Sequence, residues 1–257
     1  MIINNNISAI NTRNQLFVTN TAATKSMEKL SSGKRINRAA DDAAGLSISE
    51  KMRAQIRGLN QAARNAQDGI SLIQTAEGAL DEVSNMLVRL KELAVQKANE
   101  TYNSDDIANL ELEMTSLGAE INNIFTTTKF NGKTALTSSV KIVISDDGST
   151  GLTIQATSGT SITSLGSSSS VDAIETAIKK VNEARAQYGA TQNRLEATVR
   201  NLKTTAENLQ AAESRIRDTD MAQEMSSFTK YSILIQAGTA MLAQANMQPQ
   251  SVLSLLR

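Results

Sequence analysis

The sequence predicts a mainly α-helical fold: a long antiparallel helical bundle or coiled coil of paired N- and C-terminal segments, with a small β-hairpin insert. Three observations predict it. Positions spaced alternately three and four apart from Val171 to Ile216 are apolar except at Arg185, Gln192 and Glu213, which is the seam of a coiled coil. A matching seam runs through Met52, Ile56, Leu59, Ala63, Ala66, Ile70 and Ile73, then Ala76, Leu80, Val83, Leu87, Leu90 and Ala94. Between the halves, apolar residues alternate with polar ones, the period of a strand and not of a helix.

The first element covers residues 8–32. It carries Ala9, Leu16, Ala23, Met27 and Leu30 and stops at Gly33, a residue suited to a left-handed helix cap. Asp41, Asp42 and a Ser47–Glu50 capping box supply start signals for the second helix. It reads as one helix of roughly 55 residues, with a stammer between Ile73 and Ala76 that overwinds the coil locally. Gly69 and Gly78 flank the irregularity. Asn103-Ser104-Asp105-Asp106 turns the chain into a third helix through Ile107, Leu110, Met114, Leu117, Ile121 and Ile124. This helix is expected to fold back along the second as a hairpin. Phe130-Asn131-Gly132 is the turn that ends it. Val140, Ile142 and Ile144, then Asp146-Asp147-Gly148, then Leu152, Ile154 and Ala156 read as a β-hairpin. Residues 157–170, mostly Ser, Thr and Gly, read as a flexible loop that tolerates change.

The long seam from Val171 to Ile216 follows, roughly 70 Å of helix at ~1.5 Å per residue. Glu175 and Lys179 form an i,i+4 pair in the favourable order on it. Residues 221–246 carry Met221, Met225, Phe228, Ile235, Leu242 and Ala245. Pro249 is expected to break that helix. Both ends of the chain are apolar on one side, and neither has an evident internal element to cover it. Such helices are marginal alone, because most helix stability comes from packing. They are expected to be disordered in a free monomer and helical only in a larger assembly.

Composition excludes much. The 257 residues hold 26 Lys+Arg and 26 Asp+Glu, so the basic excess of a nucleic-acid binder is missing. With no His and no Cys, the commonest metal ligands, general bases and thiol nucleophiles are missing. We therefore expect no enzyme, no catalytic residue, no metal and no cofactor. Aromatics are only 3% of the chain, which suits thin layers of paired helices better than a compact globule. Met1-Ile2-Ile3-Asn4-Asn5-Asn6 lacks the basic and apolar regions of a secretory signal, so any export is expected to leave no cleaved signal peptide. No run of 18 apolar residues exists, so no membrane span is expected.

Three runs resemble one family. Leu30-Ser31-Ser32-Gly33-Lys34-Arg35-Ile36-Asn37-Arg38-Ala39-Ala40-Asp41-Asp42-Ala43-Ala44-Gly45-Leu46 is similar to the N-terminal block of bacterial flagellin, and Gln67-Asp68-Gly69-Ile70 through Gly78-Ala79-Leu80 continues it. Ala243-Gln244-Ala245-Asn246, Pro249-Gln250 and Leu253 through Arg257 resemble that family's C-terminus. The resemblance covers residues 1–135 and 171–257. It implies a short flagellin without large outer domains. Residues 1–40 and 221–257 would be terminal helices forming a filament core domain. Residues 41–135 and 171–220 would form a shell domain of long helices, and 136–170 the hairpin and Ser/Thr-rich insert. Leu16, Met27, Leu30, Met225, Phe228, Ile235, Leu242 and Leu253 would be the polymerisation core.

The implied function is a structural subunit that self-assembles into the hollow helical filament of the flagellum. The alternative within the same organelle is a hook–filament junction protein. Implied partners are other copies of the chain, the flagellar export chaperone at the C-terminal segment, and the filament cap and hook-associated proteins. The implied location is extracellular, on the flagellum, after export through the flagellar type III system. No nucleic acid or membrane insertion is implied: Gln236, Gln244 and Asn246 interrupt the C-terminal stripe, unlike an inserting helix. The run Arg89-Leu90-Lys91-Glu92-Leu93-Ala94-Val95-Gln96 resembles the stretch read by the flagellin-sensing Toll-like receptor, with Arg89, Leu93, Gln96 and, on the next helix, Glu113 as contacts. Its plain reading is a solvated helix face with Leu90 and Ala94 in the core. Val88 stands where receptor-stimulating members commonly carry Gln. The 157–170 loop either carries O-linked glycans or is bare. Met221, Met225, Met241 and Met247 serve core packing or an adaptable binding surface.

Overall fold

A computed structural model describes residues 5–99, 101–157, 165–166 and 169–255, with side chains described as far as 248. Five helices dominate: α1 (Ile7–Ser32), α2 (Ala43–Lys97), α3 (Ser104–Thr127), α4 (Val171–Arg217) and α5 (Met221–Leu255). Between α3 and α4 lie two antiparallel hairpins, β1 (Lys129–Phe130) with β2 (Lys133–Thr134), and β3 (Val140–Val143) with β4 (Gly151–Ile154). The chain divides into two compact units. One holds residues 1–54 and 209–257, the other 55–208.

In the 55–208 unit, α2 and α4 run antiparallel. Lys91 meets Glu175 at 2.7 Å and Asp81 meets Arg185 at 3.0 Å. Both predicted seams face inward. Ile73, Ala76, Leu80, Val83, Leu87 and Leu90 are buried together with Ile174, Val181, Tyr188 and Leu195. The third helix adds Met114, Ile121 and Phe125 to the same core. It folds back along α2, with Lys97 on Glu111 at 2.6 Å and Arg89 on Glu113 at 3.0 Å. Asn103 caps its start by accepting the N–H of Asp106 at 2.8 Å. The core is aliphatic and continuous, so each buried Leu or Ile contributes about 1.5–3 kcal/mol.

The hairpins cover the open side of this bundle. Asn131 and Gly132 both have positive φ, the turn that Asn-Gly favours in a two-residue hairpin. The turn is as expected, but the short strands flanking it were hidden in Lys129–Thr134. The second hairpin pairs Val140 with Ile154 and Ile142 with Leu152. Ile154 and Leu136 are fully buried. At its tip, Ser145, and then Ser149, hydrogen-bond the Asp147 carboxylate and hold its pKa down to about 2.

The expectation of a free loop from 157 to 170 needs correction at two of its described residues. Thr157 is buried, its N–H donates to the Leu136 carbonyl at 2.8 Å, and its hydroxyl shares a hydrogen bond with Tyr188 at 2.9 Å. Leu165 is buried too, and its carbonyl lies so close to Gly118 that a side chain there would collide. Residues 158–164 and 167–168, on which the glycan reading mainly falls, lie outside the described residues.

In the unit of 1–54 and 209–257, α1 and α5 pack along one another in antiparallel fashion. Lys29 approaches Glu224 near one end, Leu16 packs on Gly238 midway, and Asn6 reaches Ala245 at the other end. This corrects the expectation that the end stripes lack an internal element, and extends the expected pairing of N- and C-terminal segments to the ends: each supplies the other's partner. The reason is topological. The Gly33–Arg35 and Arg217–Thr219 segments form a short ladder, with Arg35 N–H on the Arg217 carbonyl at 2.7 Å and Thr219 N–H on the Gly33 carbonyl at 3.1 Å. The two helices therefore leave side by side. Gly33 has a φ of 68° and closes α1 through its N–H to the Lys29 carbonyl.

Three further local expectations are corrected. Of the expected start signals for α2, Asp42 is the cap, its carboxylate accepting the Gly45 N–H at 2.8 Å, while the Ser47–Glu50 box lies inside the helix. That frees Glu50 to pair with Arg53 and with the buried Arg217, whose guanidinium holds the Glu50 carboxyl below the usual range. Glu175 is taken by Lys91 across the helix interface instead of by Lys179 along its own helix, and this ammonium lowers its pKa. Finally, α5 continues through Pro249 to Leu255.

Candidate functional site

The terminal helix pair is the part of the molecule least able to satisfy itself. Its seam is narrow and rich in small or polar residues: Ala9, Thr12, Thr19, Ala23 and Ser26 from α1, and Ser227, Ser232, Gly238 and Ala245 from α5 are buried or half-buried beside a few larger apolar side chains. Gly238 has no side chain, so Leu16 Cδ1 sits where a Cβ would be only 3.2 Å away. The first helix is also locally weak. It is rich in Asn and Thr, poor helix formers, and Thr12, Thr19, Thr21 and Thr24 turn their hydroxyls back onto carbonyls four residues earlier.

Outside the seam, large apolar side chains stand in water. Phe17 is 73% exposed, Met27 56%, Ile233 59% and Met241 62%, with Ile10, Val18, Met225 and Leu234 also open. Apolar residues thus surround both helices instead of lining one stripe, the pattern of helices made to be covered on several sides. The candidate residues divide between the two environments. Leu16, Leu30, Phe228, Ile235 and Leu242 are half-buried, while Met27 and Met225 face solvent. The Leu253 side chain lies outside the described residues.

A second candidate face lies on α2 and α3. Arg89 is exposed, with its guanidinium bridging Glu92 at 3.1 Å and Glu113 at 3.0 Å. Those carboxylates, Glu92 first, raise its pKa further. Gln96 is half-buried and donates to the Tyr102 hydroxyl at 3.0 Å. Leu93 differs from these: at 1% exposed it lies in the core beneath the face, next to the buried Leu90 and Ala94. Val88 and Val95 are exposed on the same helix. Sequence reasoning missed the Arg89–Glu113 pairing, because the partners lie on different helices. Among the described residues, no group of three or more His, Cys, Asp or Glu could hold a metal ion. No described helix is long and apolar enough to cross a membrane.

Residues 3–141 match the family model for the bacterial flagellin N-terminal helical region, and residues 171–256 match that for the bacterial flagellin C-terminal helical region. A flagellin of Halalkalibacterium halodurans is 54% identical, with all of both chains covered. The flagellin of Bacillus subtilis is 48% identical, and the flagellar filament 31.3 kDa core protein of Treponema maltophilum 47% identical, again over all of both chains. A crystal structure of Bacillus cereus flagellin aligns with a TM-score of 0.49 at 31% identity, covering 58% of this chain and 94% of that one. The matches to the helical regions at both ends, and full-length relatives near half identity, leave one assignment: the chain belongs to the bacterial flagellin family.

Proposed function

We infer that the chain is the structural subunit of the bacterial flagellar filament, working by self-assembly in swimming motility and not by catalysis. The carrying observation is the terminal pair, whose large apolar side chains are left open on helices that already occupy each other's inner face. Copies of the same chain are the natural cover, since an apolar surface of this kind costs free energy until water is removed from it. In this reading 1–40 and 221–257 form the filament core, 41–135 and 171–220 the shell, and 136–170 an insert on the shell. Leu16, Leu30, Phe228, Ile235 and Leu242 set the pairing, while Met27 and Met225 meet neighbouring subunits, with Leu253 extending that contact. Relatives named as flagellins and filament core proteins favour the subunit over a hook–filament junction role.

The finer partners belong to the same proposal. The chain leaves the cell through the flagellar type III route and takes its place on the extracellular flagellum beneath the filament cap. Its C-terminal segment, Met-rich and largely exposed, is the surface for the export chaperone, and hook-associated proteins join at the filament base. Arg89, Gln96 and Glu113 form a face for the flagellin-sensing Toll-like receptor, with Leu93 supporting it from the core. Electron microscopy of the purified full-length chain after salt-induced assembly is the test. Hollow filaments are expected. A chain that stays monomeric, or forms only amorphous aggregate, overturns the filament reading.

A further inference from the structure

The continuation of α5 through Pro249 leaves a chemical gap. In a helix the N–H of residue 249 would donate to the carbonyl of residue 245, and proline has no N–H. The Ala245 carbonyl is instead met by the Asn6 side-chain amide, whose Nδ2 donates to it at 2.7 Å. The other half of the same amide is also engaged, with Asn6 Oδ1 accepting the Ala9 N–H at 3.1 Å as the cap of α1. One carboxamide therefore serves two helices at once, capping α1 and meeting a backbone carbonyl within α5. Only a side chain with an acceptor and a donor fixed side by side can do this. Aspartate would keep the cap and set a negative oxygen against the carbonyl. Serine could cap but carries no second arm.

The position of this contact gives it a role. The terminal pair is joined at one end by the ladder of Lys34 with Asp218, and toward its other end Asn6 meets Ala245. At ~1.5 Å per residue, Asn6 sits about 40 Å from the ladder. The seam between mixes small residues with half-buried Leu16, Phe228, Ile235 and Leu242, and an ion pair of 3.9 Å lies near the ladder. We propose that Asn6 and Pro249 form a clasp: the proline vacates a carbonyl on α5, and the Asn6 amide closes on it. The clasp holds the open end of the terminal pair in the geometry that assembly uses. Asn6 is thus a positioning residue for polymerisation, and Pro249 is what makes it specific. This rests on the filament reading only for its consequence, since the clasp itself lies within one chain.

The test is a double substitution in the full-length chain, comparing Asn6→Asp, Pro249→Ala and both together. Asn6→Asp keeps the cap and removes the donor. It is expected to raise the critical concentration for salt-induced assembly about tenfold, the effect of leaving one shielded acceptor unpaired. Pro249→Ala restores the helix's own N–H, so in its presence Asn6→Asp is expected to change the critical concentration less than about twofold. Equal penalties with and without Pro249, or no penalty at all, overturn the clasp. A parallel readout on unassembled chain is the rate of disulfide closure between Leu16→Cys and Gly238→Cys. Asn6→Asp should slow it, and Pro249→Ala should cancel the slowing. If the parent chain cross-links but forms no filament, the filament reading fails and the clasp is judged on closure rate alone. If the parent does not cross-link, the pairing and the clasp fail together.

Discussion

Tethering the terminal helices to each other should change the chain's dynamics by a calculable amount. An ideal Cβ on Gly238 lies 4.0 Å from Leu16 Cβ, within the roughly 3.5–4.5 Å span of a disulfide. Leu16→Cys also removes the Cδ1 that crowds Gly238 at 3.2 Å. The chain has no cysteine of its own, so the introduced pair has no competitor. When α1 and α5 open while the remainder stays folded, the ring closed by the bridge runs only to the 34–218 ladder, roughly 40 residues in all. Closing a ring of that size removes about 4 kcal/mol of entropy from the opened state. Opening should therefore become nearly a thousandfold rarer. Hydrogen exchange across residues 225–245, oxidised against reduced, reads this directly. The oxidised chain should also assemble at a lower concentration, because part of the ordering has already occurred. Failure to close under mild oxidation, or closure without added protection, would refute the antiparallel pairing. Closure that blocks assembly would show that the filament uses a different pairing.

Other outcomes follow from individual contacts. Ile235→Lys puts a charge into the half-buried seam and should abolish filaments, while the main melting transition, carried by the 55–208 core, moves by less than about 2 °C. Gly118→Ala should destabilise the full chain by about 1–3 kcal/mol in calorimetry, since its new methyl collides with the Leu165 carbonyl. Arg89→Ala should leave melting and assembly unchanged but lower receptor activation in a reporter assay, and an unchanged reporter removes Arg89 from that face. Glu50 and Glu175 have depressed pKa values when folded, so their stabilisation is complete above the unfolded carboxyl range and is lost as pH falls below about 4. Glu50→Gln should accordingly flatten the loss of thermal stability between about pH 5 and 3, and an unchanged slope would remove that pair from the acid response.

The long helices were legible because burial repeats along the sequence. Leu80, Val83, Leu87 and Leu90 recur at coiled-coil spacing and are fully buried, and the Asn103 cap and Gly33 stop are local signals read by local chemistry. What stayed hidden was set by residues far apart in sequence. Glu175 has a good partner four residues on, but the structure gives it Lys91. Pro249 carries the local mark of a helix end, and the lost hydrogen bond is replaced from Asn6 at the other end of the chain. Thr157 reads as loop by composition, while its partner Tyr188 is on a distant helix. At the candidate face, Leu93 looks like part of the Arg89–Gln96 surface until the helix is placed and its side chain points inward. The register of α1 on α5 was obscured for a different reason: Ala, Ser, Thr and Gly fill much of its seam, while large apolar residues such as Phe17, Met27 and Ile233 stand outside it.

The buried hydrogen bond between Tyr188 and Thr157 also gives the molecule an optical handle. The chain has no tryptophan and three tyrosines, so its near-ultraviolet absorption is that of three phenols. Tyr102 hydrogen-bonds Gln96 at the α2–α3 turn, Tyr231 is half-buried on α5, and Tyr188 lies under the cover formed by residues 155–157. Burial raises the Tyr188 pKa. In an alkaline titration this phenol should ionise late, and its lag should vanish once the segment above it lifts away. The phenolate band then becomes a gauge of whether the hairpin region is closed, read without label or added chromophore.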